Sequence, residues 1–464
     1  MIKRTTAELA RMTGGRIVQG SGEILVEGVA TDTRQPMHGK LFIPIVGEKF
    51  DAHDFIAGAA EQGAAVSFWQ ADRPRPEGLD LVLIEVDDTL KALQRLAASY
   101  REDLGIPIVA VTGSNGKTST KDLIAAVLSQ RFNVVKTLGN LNTQIGLPLM
   151  LLSLATDTEV AVLEMGMDRR GQIAVLASIA KPQFGVITNI GESHIEFLGS
   201  RGGIADAKCE LIEGLAEGTT AFLMGDEPLL RERADRTQAD VVWFGFGDDN
   251  DLQAVDVENL GTEGSRFTVR GTDLHLYLPV PGRHQVGNAL AAIGIARAMG
   301  LTAEEIAHGL EKAKETMTKR RFEVHRSKFG GTLIDDAYNA NPTAMRPALQ
   351  MLAEMPGGFK IAALGGMLEL GPDSPQMHRD LGAYIAGLNI DLLVTIGDLP
   401  RDISAGAREQ GFPTEKIVEA ADRPQAITFL ETLLKQHAND PQEPVLLIKG
   451  SLGTKLVEVV QALI

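Results

Sequence analysis

At 464 residues, with 44% hydrophobic and 23% charged residues, the chain has the composition of an ordinary soluble protein and is long enough for about three domains. A net charge of −16 without a long basic run argues against duplex nucleic acid or an anionic membrane surface, so an anionic substrate must be met by local lysines, arginines, metal ions and loop amides. The first fifteen residues lack a signal-peptide apolar region, the longest apolar stretch (145–155) is broken by Pro148, and the single cysteine, Cys209, excludes an internal disulfide; together these predict a cytoplasmic protein with no membrane insertion.

The first hundred residues alternate strand-like runs, 40–46 and 81–86, with an Ala-rich segment at 55–63. They close on a helical segment at 89–100, where Leu90, Leu93, Leu96 and Tyr100 share a face. Gly105 and Pro107 then punctuate the chain, so a small α/β domain is expected over 1–104. Its polar clusters at 31–34 and 47–55 lie beside strands, where binding loops concentrate.

A second domain, 105–318, opens on the most informative stretch. Residues 108–112 read as a buried strand, followed by Gly113-Ser114-Asn115-Gly116-Lys117-Thr118-Ser119 and a helix-compatible segment at 121–130. Gly113 and Gly116 let loop amides turn inward and, with the helix N-terminus, cradle an anion. Lys117 is placed to reach terminal phosphates and the Thr118 hydroxyl to ligate Mg²⁺. The strict phosphate-loop pattern wants glycine at position 111, where Val111 stands. Strand-like runs at 159–164 and 184–188 end in Glu164 and in a loop reaching His194. Ligands of open parallel sheets sit off the carboxyl ends of strands, which puts both residues where a metal–phosphate site would lie.

Further on, a helix at 203–215 carries Lys208 on the apolar face shared by Ile204 and Leu211. The region 241–278 reads as an antiparallel excursion, and an Ala-rich helix ends near Gly300 with Asn288 near its start, where an N-cap role competes with ligand binding. From 319 to 464 strand-like runs at 332–334, 360–364, 392–396 and 445–448 alternate with helical segments, and each empties into a glycine-rich or polar loop. That alternation predicts a doubly wound sheet.

The assembled motifs resemble the Mur ligase family: residues 113–118, Gly139-Asn140-Leu141-Asn142, Glu164, 189–194, Ala207-Lys208, Asn288, Arg321 and 335–342. That family's loop lacks the first glycine, which accounts for Val111. Residues 50–55, Asn339-Ala340-Asn341 and 367–371 resemble the branch that adds D-alanyl-D-alanine to UDP-N-acetylmuramoyl-tripeptide. The resemblance implies an α/β chain of three domains: a small N-terminal domain for the UDP-sugar, a central parallel-sheet ATPase domain, and a C-terminal Rossmann-like domain that closes over the nucleotide.

It implies ATP-driven amide formation through an acyl phosphate by a monomer, with two Mg²⁺ ions and a CO₂-derived carbamate on Lys208. By the same likeness Lys117, Glu164, His194, Lys208 and Arg321 carry catalysis, and Thr118, Glu164, His194 and Lys208 surround the metal. Residues 113–119 hold phosphates, while Asn288, Arg321 and Asp336 hold adenine, phosphate and ribose. Thr33 and Arg34 would meet the UDP end, Asn140 and Asn142 the peptidyl part, and Asn339 and Asn341 further substrate atoms.

Gly366, Leu452 and Gln285 depart from the family pattern, which has aspartate, arginine and asparagine there. A sister ligase adding another amino acid, or a folylpolyglutamate-type synthase, is the nearest alternative, but no Asp-Asn-Pro-Arg motif follows 339–341. A GTPase switch would use Asp168-Arg169-Arg170-Gly171, yet the chain holds no Asn-Lys-x-Asp guanine motif.

Overall fold

The structure, a computed structural model, describes residues 1–47, 49–318, 322–355 and 358–464. Its N-terminal part carries a five-stranded sheet in the order Arg16–Gln19, Val82–Val86, Val66–Gln70, Leu41–Phe42, Val29–Ala30, in which only Arg16–Gln19 runs antiparallel. The run expected at 40–46 pairs over Leu41–Phe42 alone. Pro44 has no N–H for a ladder, and its carbonyl instead takes the Thr89 hydroxyl at 2.5 Å.

The helix Thr89–Leu104 starts at Asp88, whose side chain accepts the Lys91 N–H, and ends at Gly105 in the left-handed conformation (φ 62°). Periodicity located its buried face, but that face has partners on both sides. Leu93, Leu96 and Tyr100 pack in one cluster with Ile84 of the first sheet and with Ile108, Leu147 and Leu151 beyond. The Tyr100 hydroxyl donates to the Leu154 carbonyl at 2.8 Å, and the Pro107 carbonyl accepts the Ala161 N–H at 3.1 Å. The Gly/Pro punctuation at 105–107 is therefore a fixed corner in the chain.

Next comes a nine-stranded sheet in the order Val134–Lys136, Val160–Glu164, Ile108–Thr112, Phe184–Ile187, Thr220–Met224, Asp240–Gly245, Leu252–Asn259, Ser265–Val269, His275–Leu278. Its first seven strands are parallel and the last two antiparallel. The antiparallel excursion expected from 241 thus begins only after Leu252–Asn259. Strand-forming residues announce a strand but not its direction, which the intervening connections decide. Ile108–Thr112 sits between strands that follow it in sequence, so the crevice at its carboxyl end opens between diverging connections.

The C-terminal part has a six-stranded sheet ordered Glu323–Arg326, Thr332–Asp336, Val445–Lys449, Lys360–Leu364, Leu392–Ile396, Ile417–Ala420, parallel except at the Glu323–Arg326 edge. Apolar clusters cover both faces, giving the doubly wound arrangement. Strands at 360–364 and 392–396 fall as expected, whereas Thr332–Asp336 and Val445–Lys449 run further and bring Asp336 and Lys449 opposite one another. Ile417–Ala420 went unread because it is short, with Glu419 exposed at its third position. Among the described residues no helix is long and apolar enough to cross a membrane.

The helix Lys117–Leu128 buries two charges, Lys121 and Asp122, each 1% exposed. Lys121 Nζ donates to the Thr137 carbonyl at 2.9 Å, while Asp122 takes the Lys136 ammonium and the Thr318 N–H, both at 2.7 Å. Lys136 also donates to the Thr316 carbonyl at 2.6 Å, so the segment leading out of the central sheet is tied to this helix. Removing one partner of a buried ion pair strands the other charge. Asp122→Ala should therefore lower stability by about 3 kcal/mol, read as a fall in the urea unfolding midpoint.

Candidate active site

The strand Ile108–Thr112 is buried throughout and delivers the chain into the loop 113–116, from which the helix Lys117–Leu128 departs. Gly113 (φ 147°) leaves no room for a Cβ, which would overlap the Thr188 hydroxyl. Gly116 is left-handed (φ 79°), and a Cβ there would come 2.8 Å from Asn288 Oδ1. No side chain caps the helix at Gly116, so its N-terminal dipole and amides face the cavity. Lys117 Nζ folds back to the Gly113 and Ser114 carbonyls at 2.7 and 3.3 Å. The loop is held from behind: Asn189 accepts the Ser114 N–H through its carbonyl and the Asn115 N–H through Oδ1, and the Ser114 hydroxyl accepts the Gly191 N–H at 2.8 Å.

Glu164 ends its strand 4% exposed, with one oxygen 3.0 Å from the Thr118 hydroxyl and the other 3.0 Å from Asn142 Nδ2. His194 stands in the left-handed conformation (φ 63°), its Nδ1 2.6 Å from Glu369 of the C-terminal part. Burial lowers the His194 pKa despite Glu369, with Lys117 and Lys208 adding to the effect. Lys208 is 2% exposed on the helix Arg201–Glu213 and has no hydrogen-bond or ion-pair partner among the described residues. Burial, reinforced by Lys117, pushes its pKa well below the ordinary lysine value. These groups share a cavity of about 560 Å³ lined also by Asn140, Asn142, Gln144, Tyr338 and Asn339.

A second cavity of about 200 Å³ adjoins it and shares Asn115, Gly116, Ser119 and Asn339. Rings of Phe246, His284 and Phe322 line it together with Asn288 and Asp336. Asn288 is not the N-cap of the helix Arg283–Ala298; Gly282 holds that position and Asn288 lies inside the helix, donating to Gln285 Oε1 at 2.9 Å. Asp336 is buried and paired with Lys449.

The C-terminal part clasps the phosphate loop. Asn341 and Asn115 exchange amide hydrogen bonds at 2.8 and 3.1 Å, and Asn341 donates to Ser193 while capping the helix Pro342–Glu354. Glu192 accepts both the N–H and the hydroxyl of Thr343 on that helix. The amide of Asn341 is thus spent on the domain contact, whereas Asn339 faces both cavities. Asn189, Glu192 and Ser193 lay in a stretch read mainly for His194; their signal was position after a buried strand.

Thr33 and Arg34 are not brought to either cavity. Arg34 is exposed and engages Asp32 through three side-chain hydrogen bonds and its own N–H, which hold the Asp32 carboxyl down at about 2. An open groove of about 540 Å³ lies instead against Thr31, Lys49, Phe50 and Phe55, and Ile145 lines both it and the larger cavity. Arg321 lies outside the described residues.

Three family descriptions match the chain in succession: the Mur ligase family catalytic domain over residues 25–101, the Mur ligase middle domain over 111–296, and the Mur ligase glutamate ligase domain over 320–452. A Bacillus subtilis (strain 168) protein named UDP-N-acetylmuramoyl-tripeptide--D-alanyl-D-alanine ligase is 42% identical over 466 residues, covering 100% of this chain and 99% of the relative. The chain belongs to the Mur ligase family. Among solved Mur ligase structures, MurF from Acinetobacter baumannii aligns at a TM-score of 0.90 with 32% identity, covering 99% and 98% of the two chains. MurF ligase from Thermotoga maritima in complex with ADP aligns at 0.82 with 29% identity, covering 94% and 97%.

The one thiol of this Mur ligase chain adjoins Lys208 in sequence but lines neither cavity. Cys209 is buried, and burial pushes it up to about 12. A thiol reagent at pH 8 should leave Cys209 unmodified in the native protein and label it fully after denaturation, as intact mass will record.

Proposed function

We propose that the chain is an ATP-dependent ligase that joins D-alanyl-D-alanine to UDP-N-acetylmuramoyl-tripeptide, a step of peptidoglycan precursor synthesis in the cytoplasm. The observation that carries this reading is the convergence of the phosphate loop, the Thr118–Glu164 pair, His194 and Lys208 on one cavity. Full-length likeness to the Bacillus subtilis ligase favours this branch over a sister ligase or a folylpolyglutamate-type synthase. In this reading residues 1–104 take the UDP-sugar, 105–318 bind ATP, 319–464 close over it, and the protein acts as a monomer.

A carboxylate is a poor acyl donor, so its oxygen attacks the γ-phosphorus of ATP, the bond to ADP breaks, and an acyl phosphate forms. The dipeptide amine then attacks the acyl carbon, gives up a proton, and inorganic phosphate leaves. Both steps need positioning and neutralisation of spread negative charge more than a nucleophilic side chain. Lys117 and the amides of residues 113–119 supply that. Asn288 is assigned to adenine, with the rings of the second cavity beside it, and Asp336 to ribose once Lys449 yields it. Asn140, Asn142 and Asn339 are assigned to the peptide side of the larger cavity.

Mg²⁺ fits the oxygen donors, because the Thr118 hydroxyl and the Glu164 carboxylate already meet at the cavity. Bound there it would offset phosphate charge. A buried Lys208 with no partner among the described residues suits carbamylation: its neutral Nζ bonds the carbon of CO₂ and loses a proton, leaving an anionic oxygen donor that a hard cation prefers to an amine.

ADP should form rapidly only when UDP-N-acetylmuramoyl-tripeptide and D-alanyl-D-alanine are both supplied; equal ADP release without the tripeptide would leave a plain ATPase. Lys208→Ala should lose at least ~100-fold in kcat, the scale on which single charge-stabilising groups act, and recover part of it when a short carboxylate such as acetate is added. Recovery with chloride at the same ionic strength would count against the carbamate.

A further inference from the structure

The segment 367–371 has no task in the chemistry above, yet three successive residues of it are each fixed to a different element. The Met367 N–H donates to His378 Nε2 at 3.0 Å, the Leu368 N–H donates to Ser451 Oγ at 3.0 Å, and the Glu369 carbonyl accepts the Glu196 N–H at 3.4 Å. Ser451 in turn donates to the Ala340 carbonyl at 3.3 Å, next to the Asn341 that grips the phosphate loop at Asn115. The turn is therefore tied to the C-terminal sheet, to the clasp and to the central part at once.

His378 is fully buried on the helix Ser374–Ala386, and both of its ring nitrogens are committed. Nδ1 lies 2.7 Å from the Ser374 carbonyl, which can only accept, and Nε2 faces the Met367 N–H, which can only donate. Those partners fix one neutral tautomer, with the proton on Nδ1. A side chain that only filled the core could have been apolar; this one spends its acceptor on the backbone that leads into Glu369. Glu369 is left-handed (φ 60°), as is His194 (φ 63°). Residues other than glycine stay in that region only where their surroundings hold them there. The two meet: Glu369 Oε2 lies 2.6 Å from His194 Nδ1, without the alignment of a hydrogen bond. Active-site contacts of this kind often come into line only when substrate is bound.

We propose that Glu369 is a positioning residue for His194 and that His378 holds the turn that delivers it. A carboxylate at Nδ1 selects one ring orientation and one tautomer, the one that leaves Nε2 as the acceptor. His194 lines the larger cavity, so that choice decides what the ring offers there. The carboxylate comes from the C-terminal part and the ring from the central one, so His194 is aimed only while the two parts are together. This rests on the proposed ligase reading.

The test uses the full-length protein, first with isotope-labelled histidine and no substrate, where the ring resonance of His194 is identified by its loss in His194→Gln, and then in turnover with ATP, UDP-N-acetylmuramoyl-tripeptide and D-alanyl-D-alanine. Glu369→Ala, a change at a half-exposed side chain, should move the His194 resonance and leave the melting temperature unaltered. It should lower kcat about tenfold, the scale on which groups that orient a ring act, with KM for ATP within about twofold. Glu369→Gln, which keeps an oxygen for the Nδ1 proton, should restore most of both effects. His378→Leu should move the same resonance and lower kcat without touching His194, and His378→Gln, which can offer an oxygen to the Met367 N–H, should recover part of the loss. Should His378→Leu not fold, the two Glu369 variants decide. An unmoved His194 resonance in Glu369→Ala would overturn the proposal even if kcat fell, as would a kcat equal to that of wild type. Failure of wild-type turnover on these substrates would instead overturn the ligase reading and leave the resonance test standing.

Discussion

An anion site built from backbone must keep its helix N-terminus uncapped, and much of this molecule follows from that constraint. The amides at the start of Lys117–Leu128 border a cavity, and among the described residues no side chain caps them. The loop therefore cannot hold its own shape by capping, and neighbouring segments do it. Asn189 binds two loop N–H groups, Thr188 donates to the Asn115 carbonyl, and Asn341 reaches across from the C-terminal part. Each of these residues follows the carboxyl end of a parallel strand, where the sheet order delivers chain to a common rim.

The same rim explains why charged groups can be buried beside the loop. Glu164 has an oxygen bound by Thr118 and another by Asn142, so its carboxylate is oriented before any ligand arrives. Lys208 has no such compensation, and its neighbour Lys117 is also a cation. Burial and like charge act in one direction there, against the ammonium form. The contrast between an acid that is fully supported and a base that is left alone is the electrostatic signature of this cavity.

Much of the site was legible because it is carried by local patterns: strand, glycine turn and helix at 108–128, the carboxylate at the end of 160–164, and the helical spacing that put Lys208 on an apolar face. The strand ends at Asp336 and Lys449 were read as loop, since charged residues there gave no β signal; only the register of two distant strands makes them opposite one another. The partners of Tyr100, the clasp between Glu192 and Thr343, and the close contact between His194 and Glu369 were invisible for a like reason. They join residues 54 to 175 positions apart, and no periodicity within one segment reports such a meeting. Arg34 shows the converse: a motif position can be read correctly as a polar turn while its side chain is spent on its neighbour Asp32.

The buried Asp122 gives the molecule a mechanical property. It lies five residues along the helix from Lys117, about 7.5 Å at the rise of an α-helix, and it holds the Thr318 amide at the exit to the C-terminal part. The amide of Thr318 is therefore anchored on the same helix whose first residues line the cavity. With Lys136 binding both Asp122 and the Thr316 carbonyl, the last residues before the C-terminal part take their position from the helix that starts at the loop, so a change at either end is felt across one buried ion pair.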